Sequence, residues 1–128
     1  MIGSDAYNYI NVLSKAAEAS LLRNTVITNN LANQSTPGYK RKEIQFETYL
    51  RKELGTSGNL DRRVANVNLD QLQTTIYTDQ EGLDYRLDGN NVNPDTENAN
   101  LAQNSIRFNT LLNSINQEFT RLKAVLQK

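Results

Sequence analysis

The sequence predicts a mainly α-helical chain. Long N- and C-terminal helices pair as an antiparallel coiled-coil hairpin, with a small irregular or β-hairpin segment between them. Three observations carry this reading. Apolar residues recur at alternating steps of three and four through residues 6–33 and again through 93–128, which is the spacing of a heptad seam. Residues that end and start helices stand at the inner bounds of those two segments: Asn33 and Pro37-Gly38 after the first, Asn93-Pro94 before the second. Between them the chain turns polar and acquires scattered glycines. The division is therefore 1–36 for the N-terminal coiled-coil helix and 93–128 for the C-terminal one. Residues 37–92 hold a turn, a short helix, a flexible connector and a possible β-hairpin. The total of 128 residues fits one domain.

The first helix carries its seam on Ala6, Ile10, Leu13, Ala17, Ser20, Asn24, Ile27 and Leu31. Small alanines there allow a partner helix to approach closely. Asn24 either fixes register from inside the seam, as a buried asparagine does, or faces solvent at an imperfect heptad. A second stripe, Val12, Ala16, Ala19 and Val26 with Leu22 close by, runs beside the seam. The helix ends where Asn33 is placed for a left-handed cap. Thr36 is pushed from helical angles by the proline after it, and Pro37-Gly38 suits the centre of a type II turn. Tyr39 and the basic run Lys40, Arg41 and Lys42 follow.

A short helix is expected over 46–54, with Phe46, Tyr49, Leu50 and Leu54 on one side. Gly55, Gly58 and Asn59 mark 55–72 as a flexible connector. Residues 74–78 (TTIYT) and 83–87 (LDYRL) alternate about a four-residue turn and read as a β-hairpin. In the last helix Asn93 is the cap, Pro94 takes the first helical position, and Asp95 and Glu97 bring acid to the positive end of the dipole. Its seam is Leu101, Ser105, Phe108, Leu112, Ile115, Phe119, Leu122 and Leu126, widened by Leu111 and Val125. Extra apolar stripes on both helices predict surface for further copies or partners, and a subunit that completes its folding in an assembly.

Composition narrows the chemistry. Hydrophobic residues make up 38% of the chain and asparagine occurs 18 times. Cys, His and Trp are absent, so no disulfide framework, Cys/His zinc site, cysteine nucleophile or histidine triad can form. Basic and acidic side chains balance at 14 each. Residues 1–64 hold nine basic against six acidic and residues 65–128 five against eight, giving halves of +3 and −3. That balance argues against nucleic-acid or anionic-membrane binding. No segment is long and apolar enough to span a bilayer, and the N-terminal stretch lacks the basic start and unbroken apolar run of a secretory signal. Asp84, Asp88, Gly89 and Asp95 fall on positions 1, 5, 6 and 12 of an EF-hand-like loop, but Arg86 occupies a ligand position and no helix precedes it. The reading there is a turn at Asp88-Gly89 feeding the Asn93 cap. No cofactor, metal or catalytic residue is expected.

Residues Thr28 to Lys40 run Thr-Asn-Asn-Leu-Ala-Asn-Gln-Ser-Thr-Pro-Gly-Tyr-Lys. This stretch resembles the signature of bacterial flagellar rod and hook axial proteins, in which a long N-terminal helix ends in Asn-Asn-(Leu/Ile)-Ala-Asn-x-x-Thr-Pro-Gly-Tyr-(Lys/Arg). Asn29, Asn30, Leu31, Ala32, Asn33, Thr36, Pro37, Gly38 and Tyr39 carry the match. A second block, Asp88, Gly89, Asn90, Asn91 and Val92, is similar to the element that marks the proximal-rod branch of that family. After it the chain departs from the branch pattern, with Pro94 inserted and Glu97 followed by Asn98 and Ala99 rather than Met and Ala.

The resemblance implies a structural subunit of the basal-body rod, assembling helically through its terminal helices to transmit torque across the periplasm. It also implies delivery by the flagellar type III export apparatus without a cleaved signal. Implied partners are further copies of itself, the rod proteins FlgC, FlgF and FlgG, and FliE. Phe46 and Leu50 are similar to the Phe-plus-four-hydrophobic motif that early export substrates present to the export gate. Outside the resemblance, the rival reading is a soluble coiled-coil adaptor or export chaperone of the cytoplasm.

Overall fold

The computed structural model describes residues 2–80 and 87–127. Two helices dominate it, α1 (Ile2–Ala32) and α4 (Pro94–Leu126), packed along each other. They run antiparallel, since Asn30 of α1 meets Glu97 of α4 while Ser20 meets Asn104. Between them the chain forms β1 (Lys42–Gln45), α2 (Glu47–Leu54), α3 (Leu60–Ala65), a 3-10 turn (Leu69–Gln71) and β2 (Thr75–Thr78). The mainly helical hairpin predicted from the heptads is the observed architecture.

α4 starts as its sequence dictates. The Asn93 side chain accepts from the N–H groups of Asp95 and Thr96, and Pro94 stands in the first turn, where a missing N–H costs nothing. At the end of α1 the Tyr39 N–H returns to the Thr36 carbonyl at 3.2 Å across Pro37-Gly38, and Gly38 has a φ of 72°. That is the expected type II turn. Asn33 is not its left-handed cap, because no described non-glycine residue has positive φ. Instead its N–H still bonds the Asn29 and Asn30 carbonyls and its side-chain amide donates to the Asn29 carbonyl at 2.8 Å.

Two expectations about the middle segment and one about α1 are corrected. β2 lies in the predicted strand 74–78, but its partner is β1, antiparallel with Ile44 opposite Ile76; of the predicted arm 83–87, residues 83–86 lie outside the described residues and Leu87 stands in a turn. The connector 55–72 folds into α3 and the 3-10 turn, because Val64 and Leu72 find apolar cover and Asn59 and Asn68 cap their own short helices. The second stripe of α1 is surface for the chain itself. Ala19 and Val26 form the core with Ile44, Phe46 and Leu72, and Val12, Ala16, Leu22, Leu50, Val67 and Leu69 pack around it.

The α4 seam is half right. Leu101, Phe108, Ile115 and Leu122 face inward, whereas Ser105, Leu112, Phe119 and Leu126 are exposed. Their places are taken by Asn104, Leu111, Glu118 and Val125, which continue the alternate 3–4 spacing one residue earlier. On α1, Ala6, Ala17, Ser20 and Ile27 are buried, Ile10, Leu13 and Leu31 half-buried, and Asn24 exposed. The register-fixing polar pair is therefore Ser20 with Asn104: the serine hydroxyl donates to Asn104 Oδ1 and the Asn104 amide donates to the Ser20 carbonyl, both at 2.8 Å. Each asparagine group is satisfied only when the helices stand in this register.

Candidate functional site

The two sequence signatures, some fifty residues apart, meet at the closed end of the hairpin. Gly38 donates its N–H to the Asp88 carbonyl at 2.7 Å, and the Asn90 amide donates to the carbonyls of Asn33 and Thr36 at 2.9 and 2.8 Å. The Asn33 carbonyl follows the last residue of α1 and the Thr36 carbonyl opens the Pro37-Gly38 turn, so Asn90 caps the helix and braces its exit from across the fold. Both Gly38 and Gly89 have positive φ, and a Cβ on Gly89 would stand 3.8 Å from the Gly38 Cα. Glycine thus supplies the backbone conformation at both tips where they touch. Asp88 accepts from the Asn90 N–H, and Asn90 Oδ1 accepts from the Val92 N–H, which stiffens the second block before the α4 cap. Val92 is buried.

Asn30 is the hub on the α1 side and is fully buried. Its oxygen accepts from the Lys42 N–H and the Tyr39 hydroxyl, and its amide donates to the Lys42 carbonyl and to Glu97. One side chain thus serves β1 as a neighbouring strand would. Asn91 does likewise on the other side, accepting from the Arg41 N–H at 2.6 Å and donating to the Asp79 carbonyl at 2.7 Å. Arg41 then binds three carboxylates: Glu97 through Nε at 2.6 Å, and Glu43 and Asp79 through Nη1 at 2.8 Å each. The Glu97 side chain is 1% exposed, so its charge is held by Arg41 and Asn30 in place of water. Burial works against the charge on Arg41, but its bonds to Glu97, Glu43 and Asp79 outweigh burial and raise its pKa above the ordinary value. The Tyr39 hydroxyl is raised too, by burial first and then by Glu97. Among the described residues no buried side-chain nitrogen or oxygen lacks a partner.

Other signature residues sit at the rim. Asn29, Ala32, Thr36 and Pro37 are exposed, and Leu31 is half-buried against the hairpin seam. Phe46 is buried in the core with Leu50 packed against it, the role of an ordinary amphipathic helix start. Asp84 and Arg86 lie outside the described residues. Asp88 makes a turn and Asp95 stands in the first turn of α4; among the described residues no His, Cys, Asp and Glu groups cluster to hold a metal.

Away from this polar clasp, the set of bonds at the closed end, the hairpin presents an apolar face on the side opposite the middle segment. Leu112, Phe119 and Leu126 follow at heptad spacing on α4, with Phe119 51% and Leu126 74% exposed. Leu21 and Tyr7, two heptads apart on α1, are likewise more than half exposed. A groove of about 270 Å³ joins the two helices on this side, lined by Leu21 and Asn24 from one and Ser105, Phe108 and Asn109 from the other. Sequence reasoning named Leu112, Phe119 and Leu126 and placed them inside.

Sequence reasoning missed Arg41, Glu97 and Asp79 as a unit. A signal existed: Glu97 lies on the inward heptad line four residues before Leu101, where a carboxylate demands a buried cation.

Comparison with known proteins gives one family. The family described as "Flagella basal body rod protein" matches residues 10–40, the stretch that ends in the first signature. The flagellar basal body rod protein FlgB of Bacillus subtilis (strain 168) is 34% identical over 93% of this chain and 90% of its own length. FlgB of Borrelia hermsii is 31% identical over 95% and 93%, and FlgB of Proteus mirabilis (strain HI4320) 31% over 87% and 90%. These matches cover most of this chain and of each relative, and so the chain belongs to the FlgB family of flagellar basal body rod proteins.

Proposed function

We propose that this structural component of the basal-body rod assembles helically by burying the exposed face of its hairpin against other copies and neighbouring rod proteins. The observation that carries the reading is the exposed line Leu112, Phe119 and Leu126 beside Leu21 and Tyr7. Fully burying a leucine or phenylalanine contributes about 1.5–3 kcal/mol, and these side chains, 40% to 74% exposed, have roughly half of that left to gain on association. The clasp complements it: polar bonds fix the direction in which the chain leaves α1 and enters α4, as a tube that transmits torque across the periplasm requires. FlgC, FlgF, FlgG and FliE are the partners this reading assigns, and the flagellar type III export apparatus its route. In the export step Phe46 and Leu50 act before folding, since in the fold they serve the core.

The test is the double variant Leu112→Ser, Phe119→Ser. Because both side chains already face solvent, denaturation of the purified chain should move by less than about 1 kcal/mol. Export into the periplasm should continue, while rod assembly and motility should fail. Motile cells carrying this variant at normal rod yield would defeat the proposal.

A further inference from the structure

The face opposite the middle segment carries a seam of its own. On α4, Leu112, Phe119 and Leu126 alternate with Asn109, Asn116 and Lys123 at steps of three and four, and all six are exposed. On α1, Tyr7, Ser14 and Leu21 alternate with Asn11, Glu18 and Thr25 in the same way, and all but half-buried Ser14 are exposed. Both lines border one groove, which takes Leu21 from α1 and Asn109 from α4. The spacing is that of a coiled-coil seam, where polar residues at alternate positions choose register and partner. Each line holds one charge, Lys123 on α4 and Glu18 on α1, and neither makes an ion pair among the described residues. They cannot meet within one chain. Ser20 stands against Asn104, with Glu18 two residues and Lys123 nineteen residues further toward the open end. About 25 Å of axis therefore lies between them, at ~1.5 Å per residue. Pairing like lines leaves both charges unmatched, since the α4 line has no carboxylate and the α1 line no cation.

We infer that the outer line of α4 docks on the outer line of α1 of a second copy of this chain, in the register that sets Lys123 against Glu18. The inference rests on the reading that this face assembles, and it names the occupant and the register. A second copy fits because the complement of each line is written on the same chain: one carboxylate on α1, one ammonium on α4. The apolar rows, Leu112, Phe119 and Leu126 against Tyr7 and Leu21, supply adhesion without direction. The charges choose among the alignments that the rows allow. A slip of one heptad sets Lys123 against Asn11 or Thr25, and the ion pair is lost. An exposed pair adds little to affinity, whereas a like-charge contact is penalised, so the pair acts on selection of the register. Asn109 and Asn116 work in the same sense, since their amides favour an alignment that offers hydrogen-bond partners. The contact joins unlike patches, the heterologous kind that repeats from copy to copy.

The chain has no cysteine, so Glu18→Cys in one full-length chain and Lys123→Cys in another make a unique thiol pair. In rods of cells that make both, mild oxidation should link the mixed pair at least about tenfold more than either chain links to itself. Charge reversal gives a second readout. Glu18→Lys or Lys123→Glu alone should lower rod yield about tenfold, and the two together in one chain should restore it. Both positions face solvent, so each purified variant should keep the helical circular dichroism of the wild type. Preferential linking of like chains, or a double reversal that assembles no better than either single one, would overturn the inference. The two readings fail separately. If the mixed link is absent while Leu112→Ser, Phe119→Ser still blocks assembly, the pairing falls and the face stands; motile cells carrying that apolar double variant defeat the face itself.

Discussion

The closed and open ends of one helix hairpin are stabilised by different physics. At the closed end, Asn30, Arg41, Asn90, Asn91 and Glu97 exchange bonds until each buried polar atom is matched. About 30 Å along α1, at ~1.5 Å per residue, the same two helices meet through Ala6, Leu13, Ile115 and Leu122 and leave Tyr7, Phe119 and Leu126 outside. The clasp is complete within one chain. Its bonds are directional, so it has one geometry and asks nothing of a neighbour. The open end is apolar and non-directional, and it lacks cover. On the proposed mode of assembly, the chain carries its shape at one end and its adhesion at the other.

Breaking the clasp gives the largest expected effect. Glu97→Ala leaves Arg41 with two half-exposed carboxylates and strips Asn30 of an acceptor, and removing one member of a buried ion pair costs about 3–5 kcal/mol. Chemical denaturation of the purified variant should show that loss, with Leu112→Ser far milder by the same measure. Replacing Arg41 and Glu97 together with apolar residues of similar size should cost less than Glu97→Ala alone; an equal or greater cost would mean the pair stabilises beyond satisfying its own desolvation.

The middle of the hairpin offers the next test. Asn104→Ala takes the acceptor from the buried Ser20 hydroxyl and the second donor from the Ser20 carbonyl, a loss of about 1–3 kcal/mol. Ser20→Ala with Asn104→Ala should cost less than the sum of the two singles, read by a double-mutant cycle. Additive losses would show that the pair does not lock the register.

What was legible follows the same division. The Asn93 cap, the Pro37-Gly38 turn and the heptad of α1 are local, and each is written in consecutive residues. The clasp is not, because it joins Asn33 to Asn90 and Arg41 to Glu97, partners more than fifty residues apart whose pairing no local spacing specifies. β1 escaped for a related reason: only Ile44 and Phe46 alternate there, and its other edge is supplied by the Asn30 side chain. The α4 seam misled most instructively. Leu112, Phe119 and Leu126 gave a better apolar heptad than Asn104, Leu111, Glu118 and Val125, yet it is the second set that turns inward. Apolar periodicity along α4 sums the inward seam and a second, exposed line, and does not tell them apart.

Gly38→Ala sharpens the comparison with a smaller effect. Nothing lies within 4 Å of the added methyl, so its cost is conformational, about 1–2 kcal/mol for a left-handed alanine. The Gly38 N–H bond to Asp88 depends on that conformation. Export should persist while rod assembly is impaired; normal motility in this variant would separate the turn from assembly.

The smallest effect lies at the open end, where Tyr9 ties α1 to α3. Its hydroxyl donates to Asp61 at 2.7 Å, and its pKa is pushed from 10.0 to about 12, by burial first and then by that bond. The fold therefore keeps the tyrosine proton longer than the open chain does. The stabilisation is whole below pH 10 and is lost as the pH climbs from 10 to about 12. Wild type should lose stability relative to Tyr9→Phe across that window and track it below, in paired melts. Because Tyr9 is half-exposed, solvent screens the interaction and the difference should be small. Parallel curves throughout would mean that α3 leans on α1 through apolar contact alone, and that the open end holds its middle segment as it holds its partners, without directional bonds.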